Sequence, residues 1–353
     1  MHFDPAAAAV AVAAASTPAG EGDPPRHLVV MVNGLFGSSS NWRAVSKAIE
    51  RRVAGNRAVM LHPSKANSRF VTFEGVDSCG DRLAEEIREV VSAHPSLRAI
   101  SVIGHSLGGV LARRALATLW HAHDRTIAGL EPRDFVTLAT PHVGVAPDTL
   151  SALPLLSWFE NHALRQTLKT AAPVVGAVTV RRTGRHLFLT DRDGAGGVPL
   201  IFDMATNEAY LAPLAAFANR KLYCNVQGDH LVAWHGAALA LADEAPPAES
   251  DLNHSGGIVR HRLGEAGGAA SSDDRHDAMV ERLRAVGAWE RINVTYPREV
   301  AVDTELAPAV RLPVPDAIPV LAHNHIQVTR PSINHRGLHV VRHLADSLDL
   351  DGL

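Results

Sequence analysis

Gly104-His-Ser-Leu-Gly108 sets a serine between two glycines at the spacing G-x-S-x-G, and Gly109 follows at once. The preceding run, residues 97–103, is apolar and β-branched and reads as a strand. The following run, from Leu107 to Trp120, carries Leu111, Ala115 and Leu119 at helical spacing. A serine at a sharp strand-to-helix turn has a strained backbone that lifts its hydroxyl above the sheet edge. Flanking glycines let the helix and neighbouring strands approach without a Cβ clash. Ser106 is therefore the candidate nucleophile. Rival glycine-rich readings fail. A dinucleotide fingerprint needs glycine where Ser106 stands, and no Gly-Lys-Ser or Gly-Lys-Thr exists for a phosphate loop.

A serine hydroxyl needs an adjacent base, itself oriented by an acid. When the nucleophile sits on such a turn, the chain order is Ser, acid, His. Asp229 follows the strand-like run 221–226 in Asn225-Val-Gln-Gly-Asp229 and is the candidate acid. Asp191 and Asp203 are weaker rivals, because neither clearly follows a core strand. The base is expected between the last strand and the last helix, where Ala322-His-Asn-His-Ile326 offers His323 and His325. The tetrahedral oxyanion needs two backbone N–H donors. Leu107, just after the nucleophile, is one. Leu35, in Asn33-Gly-Leu-Phe-Gly37 after the first strand, is the other. The His-x-His pair lacks third and fourth ligands at helpful spacing, so neither a metal nor another cofactor is expected.

These residues need a scaffold. Strand-like runs occur at 27–33, 57–62, 97–103, 134–139, 221–226 and 291–296. Helical spacing occurs at 41–53 (with Asn41 as a cap), 77–91, 107–120 and 337–348. Such alternation predicts an α/β fold with a doubly wound, mostly parallel sheet. It breaks off at about 142–218, which reads as a cap insertion. Within it, Leu153–Phe159 is apolar enough to line a groove above Ser106. Residues 1–26 read as a disordered Ala/Pro/Gly leader, 27–353 as one domain, and about 243–275 as a mobile loop.

Composition narrows the function. The chain has 353 residues, is 46% hydrophobic, and has a formal net charge of −3. That is enough apolar material for a large core, and the charge argues against a nucleic-acid partner. Two distant cysteines, Cys79 and Cys224, exclude a disulfide scaffold. The Ala-rich start lacks the basic flank of a secretion signal, so a cytoplasmic location is expected.

Val29-Val-Met-Val-Asn-Gly-Leu-Phe-Gly37 with Asn41-Trp42, and Gly104-His-Ser-Leu-Gly-Gly109, resemble the α/β-hydrolase lipases. The chain is more narrowly similar to the serine esterases grouped as domain of unknown function 676, including plant lipase-like members. Further stretches carry this likeness: Phe135-Val-Thr-Leu-Ala-Thr-Pro-His-Val-Gly144, Arg182-Thr-Gly-Arg-His-Leu-Phe-Leu189, Leu222-Tyr-Cys-Asn-Val226 with Asp229-His230, and Ala322-His-Asn-His-Ile-Gln-Val328. Together they span about 27–348. The resemblance implies an α/β-hydrolase fold and hydrolysis of acyl esters of glycerolipids or lysolipids, with transient membrane-surface contact. It favours His323 over His325 as the base. The family usually has His-Gly where Asn33-Gly34 stands here, so Asn33 is expected to support the oxyanion loop from behind. A thioesterase or acyltransferase would use the same acyl-enzyme. A catalytically silent lipid-binding or scaffold protein is the reading from a different class.

Overall fold

The computed structural model describes residues 24–54, 58–145, 181–248, 250–251, 255, 257–263, 275–296 and 321–350. The sheet begins with β1 (His27–Val32), which is buried at every position. A strand apolar on both faces is stable only with helices over each, the arrangement of a parallel sheet. After it come α1 (Arg43–Arg52), β2 (Val59–Pro63), α2 (Val76–Ala93), β3 (Ala99–His105) and α3 (Leu107–Leu119). A small ribbon, β4 (Trp120–His121) and β5 (Thr126–Ile127), leads into β6 (Glu131–Leu138). Then follow α4 (Arg181–Leu187), α5 (Leu200–Thr206), α6 (Glu208–Ala215), β7 (Asn219–Asn225) and α7 (Trp234–Ala238). The chain continues through β8 (Ile258–Leu263), α8 (Arg275–Arg284), β9 (Trp289–Val294), α9 (Leu321–His325), α10 (Pro331–Asn334) and α11 (Leu338–Ser347).

The seven-stranded sheet has the order β2-β1-β3-β6-β7-β9-β8. All neighbours are parallel except β8, which runs antiparallel to β9 from Ile258 opposite Val294 to Leu263 opposite Trp289. One face is covered by α2 and α3 through Leu83, Ile87, Leu111 and Leu116. The other is covered by α1 and α11 through Val45, Ile49, Val341 and Leu344. The expected doubly wound architecture is present. Its C-terminal strand edge, where ligands bind in such sheets, carries Asn33, Gly34 and Leu35 after β1, Ser106 after β3 and Asp229 beyond β7.

Three expectations need correction. Residues 258–263, placed in the mobile loop, form an edge strand, because pairing with β9 supplies the hydrogen bonds that their own pattern does not advertise. Part of the expected cap is core. Leu200, Ile201, Met204, Leu211, Leu214 and Phe217 are buried in the same cluster as α2 and α3, so α5 and α6 belong to the helical layer. Asn41 does not cap α1. It lies in a 3-10 turn, Ser39–Trp42, and its Oδ1 accepts from Ser38 N–H at 2.8 Å. The apolar run 153–159, expected to line a groove, lies outside the described residues.

Candidate active site

Ser106 joins β3 to α3 with φ 55° and ψ −128°, a conformation L-residues avoid at a cost of about 1–3 kcal/mol. Its N–H donates to Leu138 O at 2.8 Å, and its carbonyl accepts from Gly109 N–H at 3.2 Å, which fixes the turn against β6 and α3. Gly108 is obligatory, since a Cβ there would stand 2.1 Å from Val32 O.

The acid and the candidate base meet. Asp229, beyond the end of β7, lies with Oδ2 3.0 Å from His323 Nδ1, and both side chains are buried. A carboxylate can only accept here, so the imidazole carries its proton on Nδ1 and leaves the Nε2 lone pair available. Asp229 Oδ2 also accepts from Asn225 Nδ2 at 2.7 Å, and Oδ1 accepts from the N–H groups of Leu231 and Val232 at 3.0 Å each. Burial alone would raise this carboxyl's pKa. The His323 charge and the hydrogen bonds outweigh it and hold the group below the usual aspartate value.

His323 sits on α9, a helical turn rather than an open loop. His105, the residue before the nucleophile, donates from Nε2 to His323 O at 2.8 Å, and the two rings lie 4.9 Å apart. Burial, reinforced by the His323 charge, lowers the His105 pKa to about 3, so His105 is a neutral donor. These contacts bring His323 beside the Ser106 turn. Among the described residues Ser106 Oγ makes no hydrogen bond to His323; such contacts commonly tighten only with substrate. His325 faces elsewhere. Its ring packs 5.0 Å from Tyr296, its Nδ1 has no partner among the described residues, and burial lowers its pKa to about 4.

The loop after β1 abuts the nucleophile. A Cβ on Gly34 would sit 2.7 Å from Ser106 Cβ. Gly34 O accepts from Gly37 N–H at 3.0 Å, closing a turn around Leu35 and Phe36. Asn33 is buried behind it, and its Nδ2 donates to Gly34 O at 3.2 Å and Asn67 O at 2.9 Å. Leu107 is the first residue of α3, so its N–H has no intrahelical acceptor. Leu35 N–H donates to no backbone carbonyl among the described residues.

The rival acids serve loops instead. Asp191 accepts from Leu200 and Asp193 N–H groups, and Asp203 accepts from Ala195 N–H and Asn207 Nδ2. His186, Asp191 and Asp193 bring possible metal-ligand atoms within 4.8 Å of one another. The donor set does not fit a cation. Val76 N–H donates to His186 Nδ1 at 2.9 Å, so the ring proton is on Nε2, which donates to Asp193 at 2.8 Å. Neither ring nitrogen has a lone pair to offer. His186 instead pins α4 to the start of α2.

Three contributors escaped sequence reasoning: His105 as a donor to the His323 backbone, Asn225 as a donor to the acid, and Tyr296, whose O–H reaches Asn225 Oδ1. His105 was visible as the second residue of G-x-S-x-G. Tyr296 had no local signal, since its partner is 71 residues away.

A family model described as "Putative serine esterase (DUF676)" matches residues 23–240. The chain is 27% identical over 223 residues to "Putative lipase ROG1" of Saccharomyces cerevisiae, covering 62% of this chain and 29% of that protein. It is 26% identical over 238 residues to "Putative lipase C4A8.10" of Schizosaccharomyces pombe, covering 64% and 27%. The chain thus spans less than a third of the length of these curated relatives. Among solved structures, phospholipase PlaB of Legionella pneumophila with thio-NAD aligns at a TM-score of 0.37 and 13% identity, covering 57% of this chain and 38% of that one. The RedJ thioesterase of Streptomyces coelicolor aligns at 0.29 and 15% identity, covering 63% and 76%. Scores at that level carry no weight here; the fold rests on the sheet order.

Proposed function

The chain belongs to that serine esterase family, and from this premise we propose that it hydrolyses carboxylic esters of lipids through an acyl-enzyme on Ser106. The observation that carries the reading is the Asp229–His323 pair, 3.0 Å apart, set beside a strained Ser106 turn. His323 Nε2 takes the Ser106 proton as Oγ attacks the ester carbonyl. Leu35 and Leu107 N–H groups receive the developing oxyanion. His323 then returns the proton to the departing alcohol. Water, activated by the same imidazole, releases the acid and regenerates Ser106. Asp229 keeps the imidazole in the productive tautomer and stabilises its charged form. Lipid specificity is supported by the lipase-named relatives.

The test is hydrolysis of glycerolipid and lysolipid esters beside acetyl esters and an acyl thioester. Turnover rising with acyl length, with esters preferred over the thioester, supports the reading. A flat preference for acetyl esters, or for the thioester, overturns the lipid-ester assignment.

A further inference from the structure

The stretch Arg182–Leu189 takes no part in the proposed triad. Its Thr183 is fully buried on α4, and so is Thr72 in the 3-10 turn Arg69–Phe73. The two hydroxyls lie in series behind the loop that follows β1. Thr183 Oγ1 accepts from Gly75 N–H at 2.9 Å and donates to Thr72 O at 2.7 Å. Thr72 Oγ1 accepts from Phe36 N–H at 3.0 Å and donates to Arg69 O at 2.5 Å. Each hydroxyl therefore gives its one proton to a carbonyl and receives a backbone amide. The helix α4 is itself anchored, since Val76 N–H donates to His186 Nδ1 and Arg182 pairs with Asp77.

These bonds hold the peptide next to the proposed oxyanion donor. Phe36 has φ 58°, a region that disfavours residues other than glycine. Such a residue persists only where its surroundings over-determine it. Here the restraints stand on both sides. The Phe36 N–H is taken by Thr72 Oγ1. Gly37, next along, accepts from Arg69 N–H at 2.8 Å and donates to Gly34 O at 3.0 Å. Relaxation of φ toward negative values would rotate the Leu35–Phe36 peptide against the held Gly37. Leu35, whose N–H is the proposed donor, would turn with it. Gly34 stands against Ser106 with no room for a methyl group, so a shift of this loop is felt at the nucleophile.

We propose that Thr183 and Thr72 are positioning residues, a relay of two hydroxyls through which α4 holds the Phe36 amide, and with it the Leu35 N–H, in register with the Leu107 N–H. Both hydroxyls are committed to backbone groups, so neither acts on the substrate directly. The order is fixed: Thr183 holds the Thr72 backbone, and Thr72 alone reaches the loop. The proposal rests on the esterase reading and adds to it the part that keeps the two oxyanion donors aligned.

The experiment is steady-state hydrolysis of p-nitrophenyl butyrate and of its thionoester by the full chain, with circular dichroism to check folding. The thionoester carries sulfur at the carbonyl, a larger and weaker hydrogen-bond acceptor. The ester-to-thionoester ratio of kcat/KM therefore reads the oxyanion donors. Thr72→Val keeps the shape and removes the hydroxyl. Its kcat should fall about tenfold, less than the hundredfold or more of a lost donor, with KM unchanged and the ratio lowered. Thr183→Val should fall several-fold in the same way, while Thr72→Ser and Thr183→Ser, which keep the hydroxyl, should stay close to wild type. Because the two act in series, Thr72→Val with Thr183→Val should be no slower than Thr72→Val alone. If Thr72→Val does not fold, Thr183→Val beside Thr183→Ser makes the same comparison with the Thr72–Phe36 contact in place. Wild-type kcat in the valine variants overturns the proposal. So does a fall with an unchanged ratio, or a serine variant as slow as its valine counterpart, since either marks packing alone. Additive losses in the double variant overturn the serial relay. A wild type that hydrolyses neither substrate removes the esterase reading and this proposal with it, whereas unimpaired variants beside an active wild type remove the proposal alone.

Discussion

The Asp229 carboxylate lies 3.0 Å from His323 Nδ1, and it accepts three further hydrogen bonds from Asn225, Leu231 and Val232. It is thus held as an anion that faces the imidazole from one side. Asp229→Asn keeps the shape but presents an amide that cannot fix the same tautomer. Turnover should fall by roughly a thousandfold or more while the fold persists. Steady-state kinetics beside circular dichroism check this. A loss below tenfold would show that another residue orients the base.

Acid sensitivity follows from the same carboxylate. Its folded pKa is depressed, so its stabilising contribution is complete above the unfolded aspartate value and disappears as pH falls through the folded one. Buried histidines act earlier. His27, His105 and His325 have folded values of about 4, 3 and 4 against 6.5 unfolded. The unfolded chain therefore binds more protons between those values, and stability should drop as pH falls below about 6.5. Replacing His325 with Leu removes one such group. The melting temperature should then fall less steeply from pH 6.5 to 4, and esterase turnover should survive. Loss of turnover in His325→Leu comparable to that in His323→Ala would make His325 the base.

Much of the candidate site was legible in the chain because its signals are local. Gly104-His-Ser-Leu-Gly108 between a strand and a helix needs only neighbours in sequence, and Asp229 beyond β7 with His323 later in the chain keep the order Ser, acid, His. What was hidden depends on tertiary partners. β8 reads Ile-Val-Arg-His-Arg-Leu within a Gly- and Asp-rich stretch, and its exposed middle gives it no strand signature of its own. The helices α5 and α6 replace βα alternation with core packing that periodicity does not reveal. Asn225 and Tyr296 meet only once β7 and β9 pair.

Asn33 holds two backbone carbonyls, Gly34 O and Asn67 O. Asn33→Ala leaves both without that donor, at a cost of about 1–3 kcal/mol in stability. Turnover should fall, but by less than the hundredfold or more that follows a lost oxyanion donor, because the Leu35 N–H itself remains. Asn33→His should retain or raise activity. Full turnover in Asn33→Ala would show that the side chain plays no part in shaping the loop.

Gly34 admits no side chain. In Gly34→Ala the new Cβ would meet Ser106 Cβ at 2.7 Å and His105 O at 3.0 Å, so the loop or the nucleophile must shift. Near-complete loss of turnover with a retained cooperative melt is expected. An active Gly34→Ala would mean that the loop is not part of the reacting geometry.

Tyr296 donates to Asn225 Oδ1 and lies 3.2 Å from Ala322 O, beside His323. Tyr296→Phe removes one buried hydrogen bond, about 0.5–1.5 kcal/mol. A role in steadying the Asn225–Asp229 pair predicts a several-fold drop in kcat with KM unchanged. A change in KM alone would place Tyr296 at the substrate instead.

The most direct measurement is covalent labelling with a fluorophosphonate, followed by peptide mass analysis of wild type, Ser106→Ala and His323→Ala. A nucleophile activated by the Asp229–His323 pair predicts one adduct, on the peptide containing Ser106. It should be absent in Ser106→Ala and strongly slowed in His323→Ala. Labelling that persists in folded Ser106→Ala, or a folded wild type that takes no label, would contradict the assignment of Ser106.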